Sequence, residues 1–115
     1  MEGRVRIFEK AGMKTIEAKV LSYLFENNRG LSLDMERKMD LRQPEVSTSL
    51  SKFYKKGWVE REEISHKGKG RPQILFKLKK TKHKIIEELI NNCNKKLNNL
   101  MDIKENLTKL KEEIN

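Results

Sequence analysis

Cysteine, proline and histidine are scarce in this chain, and each scarcity excludes something. One cysteine in 115 residues, Cys93, allows no intramolecular disulfide and no cysteine metal cluster. Two histidines, His66 and His83, lack the acid or thiol spacing of a metal site, so no metal and no cofactor is expected. No apolar run approaches the roughly 18 residues that span a bilayer. The N-terminus has no apolar signal core, and the chain reads as cytoplasmic, with no membrane partner. There is no nucleophile elbow, no phosphate-cradling loop before a helix and no paired acid in an apolar pattern. The run GKGRP at 68–72 lacks the following helix that an anion-binding loop needs. Nothing here performs catalysis. Aromatics are 6% of the chain, without an exposed stacking platform for RNA.

Charge, by contrast, is abundant and unevenly placed. The chain is 37% charged, with a formal net charge of +9. Residues 1–41 carry 8 basic and 7 acidic side chains, and residues 85–115 carry 5 and 6. Residues 42–84 carry 13 basic and 4 acidic, so this central stretch holds the whole excess. A concentration of that kind suits phosphate neutralisation rather than general solubility.

Within it, LRQPEVSTSLSKFYKKGWVEREEISHKGKGRP at 41–72 gives three signals in succession: a helix, a strand and a basic loop. Pro44 suits the first turn of a helix, where its missing N–H has no intrahelical partner. Gly57 after Lys55-Lys56 suits a left-handed helix stop with cations near the negative helix end. Val46, Leu50, then Phe53 or Tyr54, and Trp58 recur at helical spacing and require a core. The opposite face carries Gln43, Ser47, Thr48, Ser51, Lys52 and Lys55. Short amides, hydroxyls and amines can approach base edges and phosphates in a major groove. Glu45 either serves the first-turn dipole or accepts from a cytosine amino group. This is the reading helix, 43–56.

Residues Trp58–Ile64 and Gln73–Leu78 read as two strands, the second with Ile74, Phe76 and Leu78 on one face. The link at 65–72 has two glycines and a proline and continues neither strand. It presents Lys67, Lys69 and Arg71 at alternate positions, which fits contact with the DNA backbone or minor groove. His66 in this loop is read as a phosphate neighbour.

The flanks complete the layout. Val5, Ile7 and Phe8 suggest a short strand or helix within residues 1–14. Thr15 reads as the cap of a helix with the stripe Ile16, Val20, Leu21, Leu24 and Phe25, ending near Asn27-Asn28. Gly30 reads as a chain break. Ser32 then caps a short helix offering Leu33, Met35 and Met39 for burial. From Thr81 onward the pattern is one long helix, with His83 solvated at its start. Ile86, Ile90, Cys93, Leu97 and Leu100 step by four and three, and Ile103, Leu107, Leu110 and Ile114 continue after a stammer. About 34 residues at ~1.5 Å each make a rod near 50 Å, too long to bury its stripe on a domain of about 65 residues. A second copy is the simplest partner for that seam, and folding back over its own domain is the other reading. Cys93, on the stripe, reads as a small core residue.

The order of parts resembles the winged-helix regulators of the ArsR and TrmB-like kind, common in archaea. QPEVSTSLSKFYKKGWV follows their pattern QP-x-VS-x-x-L-x-x-L-x-x-x-G-x-V, with Phe53 where leucine is usual. KGKGRP before ILFKL resembles their basic hairpin. The resemblance implies a homodimeric transcription factor on a pseudo-palindromic or repeated DNA site. Metal sensors of the ArsR kind carry a cysteine-containing box on the helix before the reader; LSLDMERKMD has none. TrmB-type sugar sensing uses a large C-terminal domain that is missing here.

The expected fold is mainly α with a small β-hairpin wing (α+β): a winged helix-turn-helix plus a long C-terminal dimerisation helix. Its parts are an N-terminal extension at 1–14, a DNA-binding domain at 15–80 and a coiled-coil helix at 81–115. Arg42, Gln43, Ser47, Thr48, Ser51, Lys52, Lys55, Lys67, Lys69 and Arg71 are expected on double-stranded DNA. Ile86, Ile90, Cys93, Leu97, Leu100, Ile103, Leu107 and Leu110 are expected at the homodimer seam. The alternative is an adaptor whose long helix binds another protein, such as part of the transcription machinery, with only non-specific affinity for DNA.

Overall fold

The computed structural model of the chain describes residues 2–64 and 73–114. The elements run α1 (Glu2–Lys10), α2 (Thr15–Asn27), β1 (Arg29–Leu31), α3 (Ser32–Met39), α4 (Gln43–Lys55), β2 (Val59–Ile64), β3 (Gln73–Leu78) and α5 (Lys82–Ile114). They fall into two compact units, Met1–Lys82 and His83–Asn115. The first is a winged helix: three helices, α2 to α4, beside a small antiparallel sheet.

The core of the first unit gathers around α2. Ala18, Val20, Leu21 and Leu24 are fully buried there, and Tyr23 and Phe25 nearly so. Helix α1 covers one side of it with Phe8, whose ring meets Phe25 edge-on at 5.4 Å. Arg4 holds the same junction from outside, pairing with Glu26 at 3.3 Å and lying 5.8 Å over the Phe25 ring. The ambiguous N-terminal stretch is therefore a helix. Its Ile7 stays 67% exposed.

The helix starts lie one residue earlier than the hydroxyl side chains suggested. Lys14 and Leu31 are the N-caps of α2 and α3, so Thr15 and Ser32 are the first helical residues. The Thr15 hydroxyl donates instead to the Glu9 carboxylate of α1 at 2.6 Å. The N–H of Lys14 donates to the Glu17 carboxylate at 3.3 Å, which supplies the reciprocal half of a capping box. Helix α2 ends on Asn28 in the left-handed region (φ 66°), whose N–H returns to the Leu24 carbonyl at 2.7 Å.

The wing is a three-stranded sheet in the order β1-β3-β2, one strand more than the sequence suggested. Gly30 is the residue that hid the extra strand. It does not break the chain but pairs with Phe76 across β1 and β3. A Cβ built on Gly30 would sit 2.5 Å from the edge of the Tyr23 ring, so only glycine lets α2 and β1 come this close. On the other edge β2 pairs with β3 from Val59↔Leu78 to Ile64↔Gln73. Phe76 is the fully covered residue of β3.

Helix α4 meets the sheet at a corner. Gly57 has φ +76°, its N–H donates to the Tyr54 carbonyl, and the Trp58 N–H donates to the Phe53 carbonyl, each at 3.0 Å. These two bonds close a Schellman motif. Phe53 is the buried member of the expected pair and stacks on Trp58 at 5.4 Å, while Tyr54 is 48% exposed.

Helix α5 makes up the second unit from His83 onward. It is 33 residues long, about 50 Å at ~1.5 Å per residue. Ile85 is buried, Ile86 is half-buried, and every described residue from Ile90 onward is exposed. No helix among the described residues is long and apolar enough to cross a membrane.

The two glycines give a ranked expectation. Gly57→Ala meets only an ordinary contact with the Lys80 side chain at 4.0 Å and the left-handed backbone cost of about 1 kcal/mol. Gly30→Ala drives a methyl into a buried ring and costs more, roughly 2–3 kcal/mol. Urea midpoints followed by circular dichroism test the ranking. A Gly30→Ala protein as stable as the parent would show that the Tyr23 ring yields freely.

Candidate nucleic-acid interface

Helix α4 owes its orientation to the residues it buries. Val46, Ser49, Leu50 and Phe53 form one face and are nearly inaccessible. At 100° per residue this turns Thr48, Ser51 and Lys55 outward along the centre of the opposite face, and all three are exposed. The two flanks differ. On one, Gln43 and Ser47 lean toward the wing and line a cleft of about 320 Å³ with Glu36, Glu63 and Ile74. On the other, Lys52 faces α2, where its ammonium pairs with Glu17 at 2.9 Å.

The helix start is tightly specified. Arg42 is the N-cap, and Pro44 stands in the first turn. The Arg42 N–H donates to the Glu45 carboxylate at 2.9 Å. Glu45 thus satisfies an otherwise free donor at the helix start. The Arg42 side chain is exposed beside the polar face.

Glu17 is the residue that sequence reasoning passed over. Its side chain is 11% exposed and joins two helices, accepting from the Lys14 backbone and from Lys52. Burial pushes its carboxyl up, but the hydrogen bonds from Lys52 and Lys14, with their charges, outweigh burial and hold it below the usual 4.5. Of the three donors on the Lys52 ammonium, Glu17 takes one, and the side chain remains 49% exposed for an anion. A capping-box acid at the third helical position was visible in TIEAK; its second partner, 35 residues on, was not.

Tyr54 and Arg61 were also missed. Arg61 is the lone cation on β2, and its guanidinium lies 5.2 Å over the Tyr54 ring at the end of α4. The residues expected at the wing tip, His66, Lys67, Lys69 and Arg71, lie outside the described residues.

The seam residues expected on α5 stand in solvent along its length from Ile90 onward. Ile90, Leu97, Leu100, Ile103, Leu107 and Leu110 are each 49–63% exposed, with Met101 at 60% beside them. Cys93 is exposed and is not a core residue of this chain. Its helix offers no packed neighbours at that level, and its apolar spacing alone suggested burial. His83 is 84% exposed and sits 3.0 Å from Glu87 one turn on. Among the described residues no group of three or more acid, thiol or imidazole side chains could hold a metal.

No protein-family model matches the chain, and no curated protein matches it in sequence. Solved structures do match in fold. One is a possible transcriptional regulator from Methanosarcina mazei Go1, with a TM-score of 0.65 and 15% identity over 83% of this chain and 80% of that one. A transcriptional regulator homologue from Pyrococcus horikoshii OT3 gives 0.54 and 9% identity over 81% and 95%. Overoxidized AbfR bound to DNA gives 0.50 and 22% identity over 95% and 79%. The chain has the winged-helix fold of such transcriptional regulators.

The Glu17 clamp predicts a pH dependence. A carboxyl whose folded pKa is depressed stabilises the fold above its unfolded pKa, and that stability is lost as pH falls through the folded value. The parent should therefore lose stability below about pH 4.5. Glu17→Gln keeps the capping acceptor but not the charge, and should show a shallower loss between pH 5 and 3. Denaturant midpoints across that range decide it; parallel curves for parent and variant would remove Glu17 from the account.

Proposed function

We propose that the chain is a homodimeric, sequence-specific DNA-binding transcriptional regulator of the ArsR/TrmB-like winged-helix kind, without a metal-sensing box. The observation that carries this is the outward face of α4: short hydroxyls and cations, fixed from beneath by a buried stripe, at the start of the most cationic stretch of the chain. In this reading Thr48, Ser51 and the wing-side pair Gln43 and Ser47 approach base edges. Arg42, Lys52 and Lys55 meet flanking phosphates, and Lys67, Lys69 and Arg71 bring the wing to the backbone or minor groove. The DNA-bound neighbour supports DNA as the partner class. A cytoplasmic setting follows from that role.

Pairing rests on α5. Its exposed apolar stripe at four- and three-residue steps is the pattern of a helix that packs on another helix. The adaptor reading takes the same stripe as a seat for a different protein, part of the transcription machinery included.

Purified protein titrated with its own upstream DNA and with random duplex, across a salt series and with mass determined alongside, tests both readings. The regulator reading expects a dimer that prefers specific DNA. Equal weak binding to both duplexes, or a long helix that pairs only with other proteins, would favour the adaptor. Lys69→Ala should weaken binding to all sequences and reduce the salt slope by about one. Gln43→Ala or Thr48→Val should instead change discrimination between sequences by ~1–3 kcal/mol. The paired change Leu97→Asp with Leu107→Asp should yield a monomer by mass, with the thermal transition of the first unit retained, because both side chains are exposed in the single chain.

A further inference from the structure

We infer that Arg61, its guanidinium held over the Tyr54 ring, is a built phosphodiester contact for duplex DNA at the junction of reading helix and wing. This rests on the DNA-binding reading above and adds a position that no basic motif marks. Strand β2 is VEREEI, an acidic strand in which Arg61 is the one cation. Alternation puts Arg61 on the same face as Val59, which is buried toward α4, and so aims its side chain at the helix. There it meets Tyr54, at a centroid distance of 5.2 Å. Helical spacing places Tyr54 on the wing-side flank of α4, in line with Gln43 and Ser47, which are exposed too. Arg61 therefore stands at the end of the row of groups assigned to the groove.

The chemistry suits an anion. A guanidinium on an aromatic face keeps its N–H donors around the rim, in the plane, and loses little freedom on binding, because the ring already restrains it. The neighbouring cation of the sheet is differently engaged: Lys77 lies 3.6 Å from Glu62. Tyr54 and Arg61 are both exposed where they stack, whereas a strap serving stability alone gains most where solvent is excluded. A duplex whose groove receives α4 carries a phosphate strand between that helix and the wing, which is where this pair stands.

The test uses the full chain, its own upstream duplex and a random duplex, over a salt series. Arg61→Ala should weaken binding to both duplexes roughly fivefold near 0.15 M salt and lower the salt slope by about one. Tyr54→Phe keeps the ring face and should bind like the parent. Tyr54→Ala should weaken binding with the slope retained, and should add little in the Arg61→Ala background, since the two act as a unit. Thermal transitions of all variants, measured alongside, separate loss of fold from loss of contact. An Arg61→Ala protein with the parent's salt slope, while Lys69→Ala lowers it, would overturn this contact and leave the DNA-binding reading standing. A parent protein that binds neither duplex would overturn both.

Discussion

The angle between reading helix and wing depends on one corner, Gly57-Trp58. The Trp58 N–H closes α4 on the Phe53 carbonyl at 3.0 Å, and its own carbonyl accepts from Lys79 at 2.8 Å and Lys80 at 3.3 Å. One residue thus joins the end of the helix to the end of β3, and β2 leaves directly from it. The indole, 2% exposed, stacks on Phe53 and carries the Lys56 ammonium 4.7 Å above its ring. Backbone bonds fix the path of the chain here, and ring packing fixes its tilt. On the proposed DNA-binding reading that rigidity matters, because a helix and a wing that swing independently would lose the entropy of alignment at each binding event.

Much of this was legible because it is local. Pro44, Glu45 and Gly57 each act within a few residues of their own position, and they bounded α4 closely. The alternation in QILFKL bounded β3 for the same reason. Features made by distant partners were not legible. Strand β1 is three residues containing a glycine, and it exists because β3, more than 40 residues later, pairs with it. The choice between Phe53 and Tyr54 was open in the sequence, since both lie on the edge of the stripe; the stacking of Trp58 settles it. Glu17 reads as an ordinary capping acid until Lys52 is brought to it. Thr15 and Ser32 misplaced two caps by one residue. The Thr15 hydroxyl is taken by Glu9 while Glu17 serves the Lys14 N–H. Leu31, extended in β1 by its pairing with Leu75, already provides the non-helical residue before α3.

The acids near the reading helix explain how a mixed-charge surface remains suited to an anion. Glu45 is committed to the Arg42 N–H and Glu17 to Lys14 and Lys52, so two carboxylates beside the groove face have their charge answered at short range. What projects outward from the centre of α4 is hydroxyl and ammonium. Glu63 lines the wing-side cleft with Gln43 and Ser47. A phosphate brought there meets like charge, whereas a base edge that donates, such as the cytosine amino group, does not. On the proposed reading the outer face of the helix would attract backbone, the start of its wing-side flank beside Glu63 would discourage it, and the end of that flank, where Arg61 lies over Tyr54, would not. That division favours a single orientation on the duplex.

The long helix places the opposite demand on its surroundings. Six large apolar side chains between Ile90 and Leu110 stand half to two-thirds exposed, and burying such residues is worth about 1.5–3 kcal/mol each. A lone helix in water gains none of this, and helices of this composition owe most of their stability to packing. Residues 85–115 carry 5 basic and 6 acidic side chains, so two copies would meet there with little net charge, while the stretch at 42–84 carries the excess of +9. Had the cations been spread evenly, each seam would repel its twin at the low salt where DNA binding is strongest. On the proposed reading, segregating charge from the apolar positions of α5 would let one chain both pair and bind a polyanion, and that arrangement favours a second copy over a basic or acidic stranger as their partner.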